Sequence, residues 1–377
     1  MKILVLTSRY TALRDIIEED FGRQTRLFEA LSKYDNEIHF YCVDYRKKEN
    51  KDTKLHDMKI MIRPFSPFNP LQLLLFYRQL KKTIKEGGYD LIIGTSDPLW
   101  GVFGYYASKS CKIPFLYDLH DNYEVYQSYS IPFMKYLDRH IIKKSYLVTT
   151  VSHTLKEYIA KWRKENVFVV QNGVDFNLFK PENKIKAREI LKLPKDANVI
   201  AYAGSIQKLQ GIDILIEAFI KLKNQYPKLL LFLAGRIKSE KGKSINMDVE
   251  GLIHVDHLDQ QGVVNVINAA DIAVIPNRMN AFTKYCFPYK CVEYMACNTP
   301  IVATNVGDVA DMLKAFPNTL CNPDDVEDMT KKISFQLNNP KKSDYRSKIK
   351  ENTWMSIARD LDKKIRMYLS KKNFSSQ

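Results

Sequence analysis

The sequence is poor in cysteine and lacks any long apolar run. Six cysteines among 377 residues are too few for a disulfide-stabilised scaffold, and none lies at the spacing of a zinc site. The apolar run at the amino terminus is too short for a signal peptide and suits a buried first strand. No stretch approaches the ~18 apolar residues of a membrane-spanning helix. These absences predict a cytoplasmic protein.

The motifs of several large enzyme classes are also missing. The sequence has no Walker A segment, no GxGxxG, no GxSxG and no HExxH. P-loop kinases, nicotinamide-dependent enzymes, serine hydrolases and zinc proteases are therefore not expected. No aspartate pair at a predicted strand end is typical of a divalent-metal site, and Asp324-Asp325 is predicted to cap a helix instead. We expect neither a metal ion nor another cofactor.

Acidic residues are scarce relative to basic ones. The chain has 58 Lys and Arg against 43 Asp and Glu, which gives a net charge of +15. This excess predicts an anionic partner, which could be nucleic acid, a phosphorylated ligand or a membrane surface. The sequence holds no nucleic-acid recognition module and no arginine-rich arm, so nucleic acid is not expected as the partner.

Short β-branched or aromatic runs alternate with helical patterns along the whole chain. This alternation is typical of parallel sheets covered by helices on both faces. The predicted strands form two series, separated by a Gly- and Pro-punctuated segment at residues 172–182. They are Lys2–Ser8, Glu37–Tyr45, Lys59–Phe65, Asp90–Ser96, Pro114–Asp121, Tyr146–Ser152 and Val167–Gln171, then Val199–Ser205, Leu229–Gly235, Gly251–His257, Ile272–Pro276 and Pro300–Val306.

The two series predict an α/β protein of two doubly wound, Rossmann-like domains, residues 1–170 and 171–351. Ligands of such sheets bind beyond the carboxyl ends of the strands. With two such domains face to face, we expect the ligand in the cleft between them.

The last segment, residues 352–377, is predicted to be an amphipathic helix. Its apolar positions recur about every four residues, at Trp354, Ile357, Leu361, Ile365 and Leu369. Residues 341–377 hold eleven Lys or Arg and four Asp or Glu. The basic face of this helix, together with the apolar segment Phe65–Tyr77, could rest on an anionic membrane surface. An ordinary solvated basic surface is the alternative.

Strand ends of the second series carry residues that suit the binding of an anion. Gly204 and Gly235 lie at the ends of predicted strands and Gly307 follows one, and glycine lets a backbone approach a phosphate closely. Four cations lie at or near these positions: Lys208, Arg236, Arg278 and Lys290. Together they predict an anionic ligand in this half of the chain, although plain strand-to-helix turns would show the same glycines.

The segment Phe287–Pro300 holds the densest set of candidate residues. Pro288 suits the first turn of a helix, and Val292 and Met295 give that helix a buried face. Glu293 then lies in its first turns, where a carboxylate could accept hydrogen bonds from ribose hydroxyls. A capping or salt-bridging glutamate is the other interpretation.

Segments between residues 171 and 307 now indicate a family through their order and spacing. They are Gln171–Asp175, Tyr202–Ser205, Gln210–Asp213, Phe232–Gly235, Ala270–Pro276, Glu293–Ala296 and Pro300–Gly307. As a set they resemble the nucleotide-sugar-binding domain of family four glycosyltransferases, which are retaining enzymes of the GT-B fold. The amino half matches more loosely, in architecture and in the segment Tyr117–Asp121.

The chain departs from the pattern of this family at three positions. Ser205 and Gln210 stand where the family usually has the Arg and Lys that hold the donor diphosphate, and Tyr285 replaces the first of two glutamates. The segment Phe287–Lys290 is typical of a subgroup that often lacks that first glutamate. Our hypothesis is that Lys208, Arg278 or Lys290 replaces the missing cations.

The resemblance also implies a set of site residues. His120 matches the histidine that contacts the donor sugar, and Asp118 and Asp121 could orient its ring or bind acceptor hydroxyls. Arg9 and Arg23 could meet a phosphorylated acceptor or be ordinary surface charges. The implied donor-binding residues are Gly22, Gly204, Ser205, Lys208, Gly235, Arg236, Arg278, Phe287, Pro288, Tyr289, Lys290 and Glu293, with His120 and Asp121 as the catalytic pair.

The function that the resemblance implies is retaining transfer of a sugar from a nucleotide sugar to a glycan or lipid-linked acceptor. Such an enzyme would serve cell-surface polysaccharide or glycolipid assembly in the cytoplasm, at the inner face of the membrane, and its last helix would pack back on the amino domain. Two alternatives stay open: a nucleotide-sugar epimerase of the same fold and a non-catalytic partner subunit.

Overall fold

The computed structural model describes the chain except for residues 12–13, 21, 67–69, 239–244, 341–342 and 375–377, and the side chains of 70 and 371–374. Part of the apolar segment Phe65–Tyr77 therefore lies outside the described residues. The chain forms two compact units, one of residues 1–173 with 354–377 and one of residues 174–353. It passes from the first unit to the second after Gly173 and returns at Trp354.

The first unit is a sheet with helices on both faces. Its elements are β1 (Lys2–Ser8), β2 (Tyr10–Thr11), β3 (Arg14–Asp15), α1 (Arg23–Ser32), β4 (Glu37–Asp44), β5 (Lys51–Leu55), β6 (Met58–Pro64), α2 (Pro70–Gly87), β7 (Leu91–Gly94), α3 (Pro98–Ser110), β8 (Phe115–Leu119), α4 (Met134–Lys144), β9 (Leu147–Thr150), α5 (His153–Ile159) and β10 (Val167–Val169). Among the described residues the sheet has eight strands in the order β10-β9-β8-β7-β1-β4-β6-β5. Short β2 and β3 pair separately.

Neighbouring residues of β4 show how helices cover both faces of this sheet. The Phe40 ring packs 5.7 Å from that of Phe28 on α1, whereas the Tyr41 ring packs 5.7 Å from that of Phe76 on α2. Successive residues of a strand point to opposite faces. Therefore α1 and α2 lie on opposite faces, and the continuous apolar runs of the central strands follow from burial on both sides.

The second unit repeats this architecture. Its elements are α6 (Lys184–Ile190), β11 (Asn198–Ala203), α7 (Ile212–Lys223), β12 (Leu229–Ala234), β13 (Leu252–Val255), α8 (Gln260–Ala269), β14 (Ile272–Ile275), α9 (Tyr289–Ala296), β15 (Ile301–Thr304), α10 (Gly307–Leu313), β16 (Leu320–Cys321), α11 (Val326–Asn338) and α12 (Tyr345–Lys348). In the described residues, six parallel strands follow the order β13-β12-β11-β14-β15-β16. The predicted α/β class with two doubly wound units is confirmed.

The carboxyl-terminal helix α13 (Trp354–Phe374) belongs to the first unit. Ala358, Leu361 and Ile365 are buried in the same apolar cluster as Leu27 and Phe28 of α1. The apolar stripe is thus buried in the core of the first unit, on the α1 face of its sheet.

Each of the twelve predicted strands is present, although most are shorter than predicted. The sequence did not predict β5, which pairs antiparallel with β6 at the edge of the sheet. Its residues are polar and largely exposed, so they give no apolar signal. The predicted cap of α11 is Asp325, whose carboxylate accepts from the Asp328 amide at 2.9 Å.

The longest helices, α2 and α13, are both amphipathic. Nowhere in the described part of the chain is a helix both long enough and apolar enough to cross a membrane.

Candidate functional site

Two glycines bring the ends of neighbouring strands into contact in the second unit. Gly204 follows β11 and Gly235 follows β12, with φ values of 149° and 147°. A Cβ atom on Gly235 would lie only 1.9 Å from the carbonyl oxygen of Gly204. Neither position accommodates a side chain easily, because both φ values fall in the region that favours glycine. The result is a strip of bare backbone at the carboxyl edge of the sheet, where ligands of such sheets bind.

The ammonium group of Lys290 lies directly beside this bare backbone. A Cβ atom on Gly204 would be 3.3 Å from Lys290 Nζ. Lys290 Nζ donates hydrogen bonds to the Tyr202 hydroxyl at 3.0 Å and to Gln210 Oε1 at 3.2 Å. An ammonium group has three donors and these two are its hydrogen bonds among the described residues, so one donor is left for a ligand. Burial lowers the pKa of Lys290 to about 8, partly offset by Glu293 and two thiols nearby.

Glu293 follows Lys290 by three positions on α9, so both side chains lie on one side of the helix. Burial raises the pKa of Glu293 to about 7, while the charge of Lys290 acts to lower it. No hydrogen bond or ion pair joins the Glu293 carboxylate to another described residue. A half-buried carboxylate without a protein partner is suited to accept hydrogen bonds from ligand hydroxyls.

Ser205 and Lys208 follow Gly204 and lead into α7. The Ser205 hydroxyl is buried and has no hydrogen-bond partner among the described residues. Lys208 lies in a 3-10 turn, Lys208–Gln210, and its half-buried side chain makes no ion pair within the described part of the chain. Arg236 follows Gly235 and is exposed. These three side chains stay available to an anionic ligand.

Arg278 is ion-paired with two carboxylates, which the sequence did not predict. Its guanidinium donates to Asp213 Oδ2 at 2.7 Å, to Asp324 and to the carbonyl oxygen of Lys208 at 3.0 Å. Two carboxylates therefore already neutralise this cation. Arg278 also holds the turn that carries Lys208 through its bond to the Lys208 carbonyl oxygen, and its assignment to the donor diphosphate stays a prediction.

The segment before α9 plays a structural part. Phe287 is 3% exposed and belongs to the core, so its ring is not offered to a ligand. Pro288 is the residue before the helix rather than its first residue, and α9 begins at Tyr289. Tyr289 is half-buried. This segment sets the direction of α9 and thereby places Lys290 and Glu293.

In the first unit, His120 follows β8 and is held by backbone and side-chain groups. Its Nδ1 accepts from the Ser96 amide at 3.2 Å and lies 2.9 Å from the Tyr123 hydroxyl. An accepting Nδ1 requires the proton on Nε2 in the neutral ring. Burial lowers the pKa of His120 to about 4, and the nearby Asp118 only partly opposes this effect. His120 is therefore a neutral imidazole at physiological pH.

Asp121 lies next to His120 and is also held by its neighbours. Its carboxylate accepts from the Asn122 amide at 2.9 Å and from the Tyr126 hydroxyl at 3.1 Å. Burial raises the pKa of Asp121 to about 7, although both hydrogen bonds act to lower it. The carboxyl group can therefore change protonation near neutral pH.

Two arginines that the sequence offered for a phosphorylated acceptor are buried and paired. Arg23 is 3% exposed, and its guanidinium donates to Asp118 at 3.0 Å. Arg9 is 0% exposed and donates to Asp15 at 2.8 Å and Asp44 at 3.0 Å. Neither is a surface charge or a free ligand for phosphate. Asp118 is likewise committed to Arg23 and does not face a ligand.

Gly22 directly precedes α1 and has a φ of 98°. The next residue, Arg23, donates a hydrogen bond to Asp118 on β8. The structure therefore brings Gly22 to the same strand ends as His120. Gln24, in the first turn of α1, was not predicted to have a role. It is 2% exposed, and its Nε2 has no partner among the described residues.

Sequence reasoning also missed the residues that hold the predicted ones in place. Tyr202 and Gln210 position Lys290, and Ser96 and Tyr123 position His120. Of these four residues, only Gln210 was noticeable in the sequence, because it stands where the family usually has a lysine. In the described residues, no three His, Cys, Asp or Glu side chains are grouped as metal ligands would be.

Comparison with known proteins gives family matches in both units. A model described as "Glycosyl transferases group 1" matches residues 183–353, and one described as "Glycosyltransferase Family 4" matches residues 25–178. A D-inositol 3-phosphate glycosyltransferase of Saccharomonospora viridis is 33% identical over 37% of this chain and 35% of the relative. A putative teichuronic acid biosynthesis glycosyltransferase of Bacillus subtilis, TuaC, is 27% identical over 60% of this chain and 56% of the relative. The chain thus spans about a third and just over half of these two relatives.

Solved structures share the complete fold at low sequence identity. Sucrose-phosphate synthase from Thermosynechococcus elongatus superposes with a TM-score of 0.77 at 20% identity, covering 100% of both chains. Anabaena HepE in complex with UDP gives a TM-score of 0.77 at 18% identity, covering 97% of this chain and 100% of HepE.

Proposed function

Because this chain belongs to the family 4-like group of GT-B glycosyltransferases, we propose that it transfers a sugar from a nucleotide sugar to a glycan or lipid-linked acceptor. We propose further that transfer retains the anomeric configuration and serves cell-surface polysaccharide or glycolipid assembly at the cytoplasmic face of the membrane. One observation carries the proposal: the Lys290 ammonium lies beside the bare backbone of Gly204, one helical turn from the unpartnered carboxylate of Glu293.

The donor diphosphate is assigned to the second unit. Charge-assisted hydrogen bonds to a phosphate are strong, and a preorganised cation stabilises the charge that develops as the leaving group departs. Lys290 supplies such a cation, with Lys208 and Arg236 as further candidates. Glu293 accepts from the ribose hydroxyls. Anabaena HepE, which shares the fold, was solved with UDP bound, and this supports a nucleoside diphosphate as the ligand class.

The sugar and the acceptor are assigned to the strand ends of the first unit. His120 is neutral, so it acts as a hydrogen-bond partner of the donor sugar and not as an imidazolium acid. Asp121 accepts from an acceptor hydroxyl. The departing phosphate takes the acceptor proton on the same face of the sugar, so no protein nucleophile is required. We expect this reaction to proceed in the presence of EDTA.

The first test is a thermal-shift screen of the purified protein against UDP, GDP, ADP and CMP sugars. A donor stabilises the folded state by mass action. We expect a shift with one nucleotide class, a clear reduction of that shift in Lys290→Met, and an unchanged shift in Lys331→Met. Lys331 is an exposed lysine on α11 and serves as the matched control. No shift with any donor at millimolar concentration would overturn the proposal.

The second test follows the bound donor with and without sugar acceptors. Transfer with an unchanged anomeric configuration, read by NMR, is the expected outcome. Epimerisation without an acceptor would instead identify an epimerase. Binding without any turnover would favour a non-catalytic subunit, an alternative motivated by the neutral Ser205, Gln210 and Tyr285.

A further inference from the structure

Residues 122–130, defined as the turn segment, form neither a strand nor an α-helix. They contain two short 3-10 turns, Tyr123–Val125 and Gln127–Ser130. The backbone hydrogen bonds of this segment are local, since the amides of Tyr126 and Tyr129 bond to carbonyl oxygens three positions earlier. Such bonds maintain the shape of the segment, but they do not attach it to the sheet or to the helices around it.

Three side-chain hydroxyl groups attach the turn segment to its surroundings. Each hydroxyl donates to one carboxylate: Tyr126 to Asp121 at 3.1 Å, Ser128 to Asp97 at 2.9 Å and Tyr129 to Asp138 at 3.2 Å. The three acids belong to different parts of the first unit, because one follows β8, one directly precedes α3 and one lies on α4. The segment is therefore held at three separate points.

None of these three acids forms an ion pair with a residue in the described part of the chain. Asp138 is 3% exposed, and it accepts a further hydrogen bond from the Tyr117 hydroxyl at 2.5 Å. Asp97 also accepts from the Leu99 amide at 2.9 Å and so caps α3. A buried carboxylate without a counterion depends on hydrogen-bond donors. The hydroxyls of the turn segment are such donors, so the acids and the segment stabilise each other.

The protonation of the three acids agrees with this dependence. Burial raises the pKa of Asp121 to about 7, that of Asp138 to about 6 and that of Asp97 above its ordinary value. In all three, the hydrogen bond from the turn segment acts in the opposite direction and lowers the pKa. These hydrogen bonds therefore favour the ionised form of each carboxyl group.

The turn segment also determines the surroundings of His120. Tyr123 is 2% exposed, and its hydroxyl lies 2.9 Å from His120 Nδ1 and donates to the carbonyl oxygen of Asp118 at 2.8 Å. The centroids of the Tyr123 and His120 rings are 5.5 Å apart. A displacement of the segment would therefore move the hydroxyl and the ring that enclose this imidazole.

A fourth attachment joins the turn segment to two helices. The Glu124 carboxylate accepts from the Tyr158 hydroxyl of α5 at 2.8 Å and pairs with Arg139 of α4 at 3.4 Å. Arg139 is adjacent to Asp138, so α4 holds the segment through an acid and a base. Because the segment has several attachments, a test has to remove more than one of them.

We propose that Asp97 and Asp138 are positioning residues of the transfer reaction. Through Ser128 and Tyr129 they hold the turn segment in place, and the segment in turn fixes the His120 ring for its contact with the donor sugar. The two acids act through the segment and not through a contact with substrate. This proposal deepens the proposed function and rests on it for the reaction, but not for the effect of the segment on the imidazole.

The first test follows the titration of His120 by NMR in the protein without substrate. The wild-type ring should carry its proton on Nε2 and titrate with a pKa of about 4, because burial and the charge of Arg23 outweigh the effect of Asp118. In the double variant Ser128→Ala/Tyr129→Phe, a looser segment admits water to the ring. The pKa of the imidazole should then rise towards its ordinary value of 6.5.

The matched control is the double variant Ser130→Ala/Tyr136→Phe, which removes the same atoms at exposed positions. Its His120 should titrate as in the wild-type protein. Hydrogen exchange of the amides of Tyr126 and Tyr129 should be at least about tenfold faster in the test variant than in this control, because the hydroxyls that are removed bind charged groups.

The second test measures transfer with the donor and acceptor that the wild-type protein uses. In the test variant kcat should fall about tenfold to 100-fold, because displacement of a group that contacts the reacting sugar costs transition-state stabilisation. The KM for the donor and its thermal shift should change little, because Lys290 of the second unit is proposed to hold the diphosphate. Ser128→Thr keeps the hydroxyl and should retain most of the kcat that Ser128→Ala loses.

Three outcomes would overturn the proposal. They are an unchanged pKa of His120 in the test variant, an unchanged kcat in spite of faster hydrogen exchange, and equal changes in the test and control variants. Failure of the proposed function would be seen in the wild-type protein, as the absence of a donor thermal shift or of transfer. In that case the titration of His120 alone decides whether the two acids position this ring.

Discussion

Lys290 and Glu293 show how one short helix places two ionisable groups against a bare strip of backbone. Both are buried enough for their pKa values to move towards neutrality, to about 8 and about 7. The cause is the same for both, because burial disfavours the charged form of either group. Shifted values of this kind are frequent at functional sites, where stability is given up for ligand binding.

The lowered pKa of Lys290 predicts how binding of a nucleoside diphosphate depends on pH. The ammonium loses its proton as pH rises through about 8, so UDP affinity should fall between about pH 7 and about pH 9. Lys290→Arg keeps its charge over this range and should bind UDP with little pH dependence. Isothermal titration calorimetry at several pH values measures the effect, and an equal decline in both proteins would contradict it.

The raised pKa of Glu293 predicts a pH-dependent change in stability. A carboxyl whose folded-state pKa lies above its ordinary value of 4.5 destabilises the folded state progressively as pH rises towards about 7. Glu293→Gln should therefore raise the melting temperature more at pH 8 than at pH 5, and weaken nucleotide binding. Glu217→Gln, at an exposed position on α7, is the control. An equal shift at both pH values would show that ionisation of Glu293 does not matter.

At the scale of single elements, α1 is fixed to the sheet by one buried ion pair. Arg23 at its start donates to Asp118 on β8 and to the carbonyl oxygen of Gln171 at 3.2 Å. The hydroxyls of Thr95 and Thr149 also donate to Asp118. Burial acts to raise the pKa of Asp118, but Arg23 and the hydrogen bond from Thr149 outweigh it and hold the pKa below its usual range. The pair therefore positions the start of α1 near the end of β8.

Removal of one partner of this ion pair should lower the free energy of unfolding substantially. Arg23→Met leaves the Asp118 carboxylate buried without its counterion, and we expect a loss of about 3–5 kcal/mol in the free energy of unfolding. Arg26→Met on the same helix breaks only partly exposed pairs with Asp20 and Glu29 and should cost at most about 1 kcal/mol. Urea denaturation measures both variants, and similar losses would show that Arg23 has no special role.

The edge strand β5 shows what sequence patterns detect poorly. Buried central strands appear in the sequence as apolar runs, whereas Lys51–Leu55 is held by backbone pairing with β6 and is mostly polar. Because backbone groups make this pairing, the side chains of β5 give no indication of it.

At the scale of the whole molecule, the first unit is built from two distant parts of the chain. Residues 354–377 join residues 1–173, and Leu361 and Ile365 of α13 lie in the same core as Ile3 and Val5 of β1. The carboxyl terminus is therefore a structural part of the first unit.

This arrangement predicts which unit responds to a change in α13. Ile365→Ala removes a fully buried side chain and should cost about 2–5 kcal/mol. Hydrogen exchange should then speed up in peptides from β1 and β4 but not in those from β11 and β12. Met367→Ala, at an exposed position, should change neither unit. Faster exchange in both units would mean that they unfold together.

Much of the fold follows from local features of the sequence. The periodicity of apolar residues predicted every central strand, because strand burial on both faces leaves a continuous run. Gly204 and Gly235 were recognised as glycines at strand ends that let a backbone approach a ligand closely. Only the structure shows that they also lie against each other, where a Cβ atom on Gly235 would collide with the carbonyl oxygen of Gly204. Tyr202 and Ser96 could not be recognised, because they act by positioning groups that are distant in sequence.

The sequence by itself determined the α/β class, the two units and the bare backbone at the strand ends, since each depends on local composition and spacing. Only the tertiary structure decided which cations are available. Arg23 is neutralised by Asp118, 95 positions away, and Arg278 by Asp213 and Asp324, whereas Lys290 keeps a free donor beside Gly204. The physical reason is that a cation whose donors already bind carboxylates has fewer left for a ligand, and which carboxylates a cation meets is set by the fold.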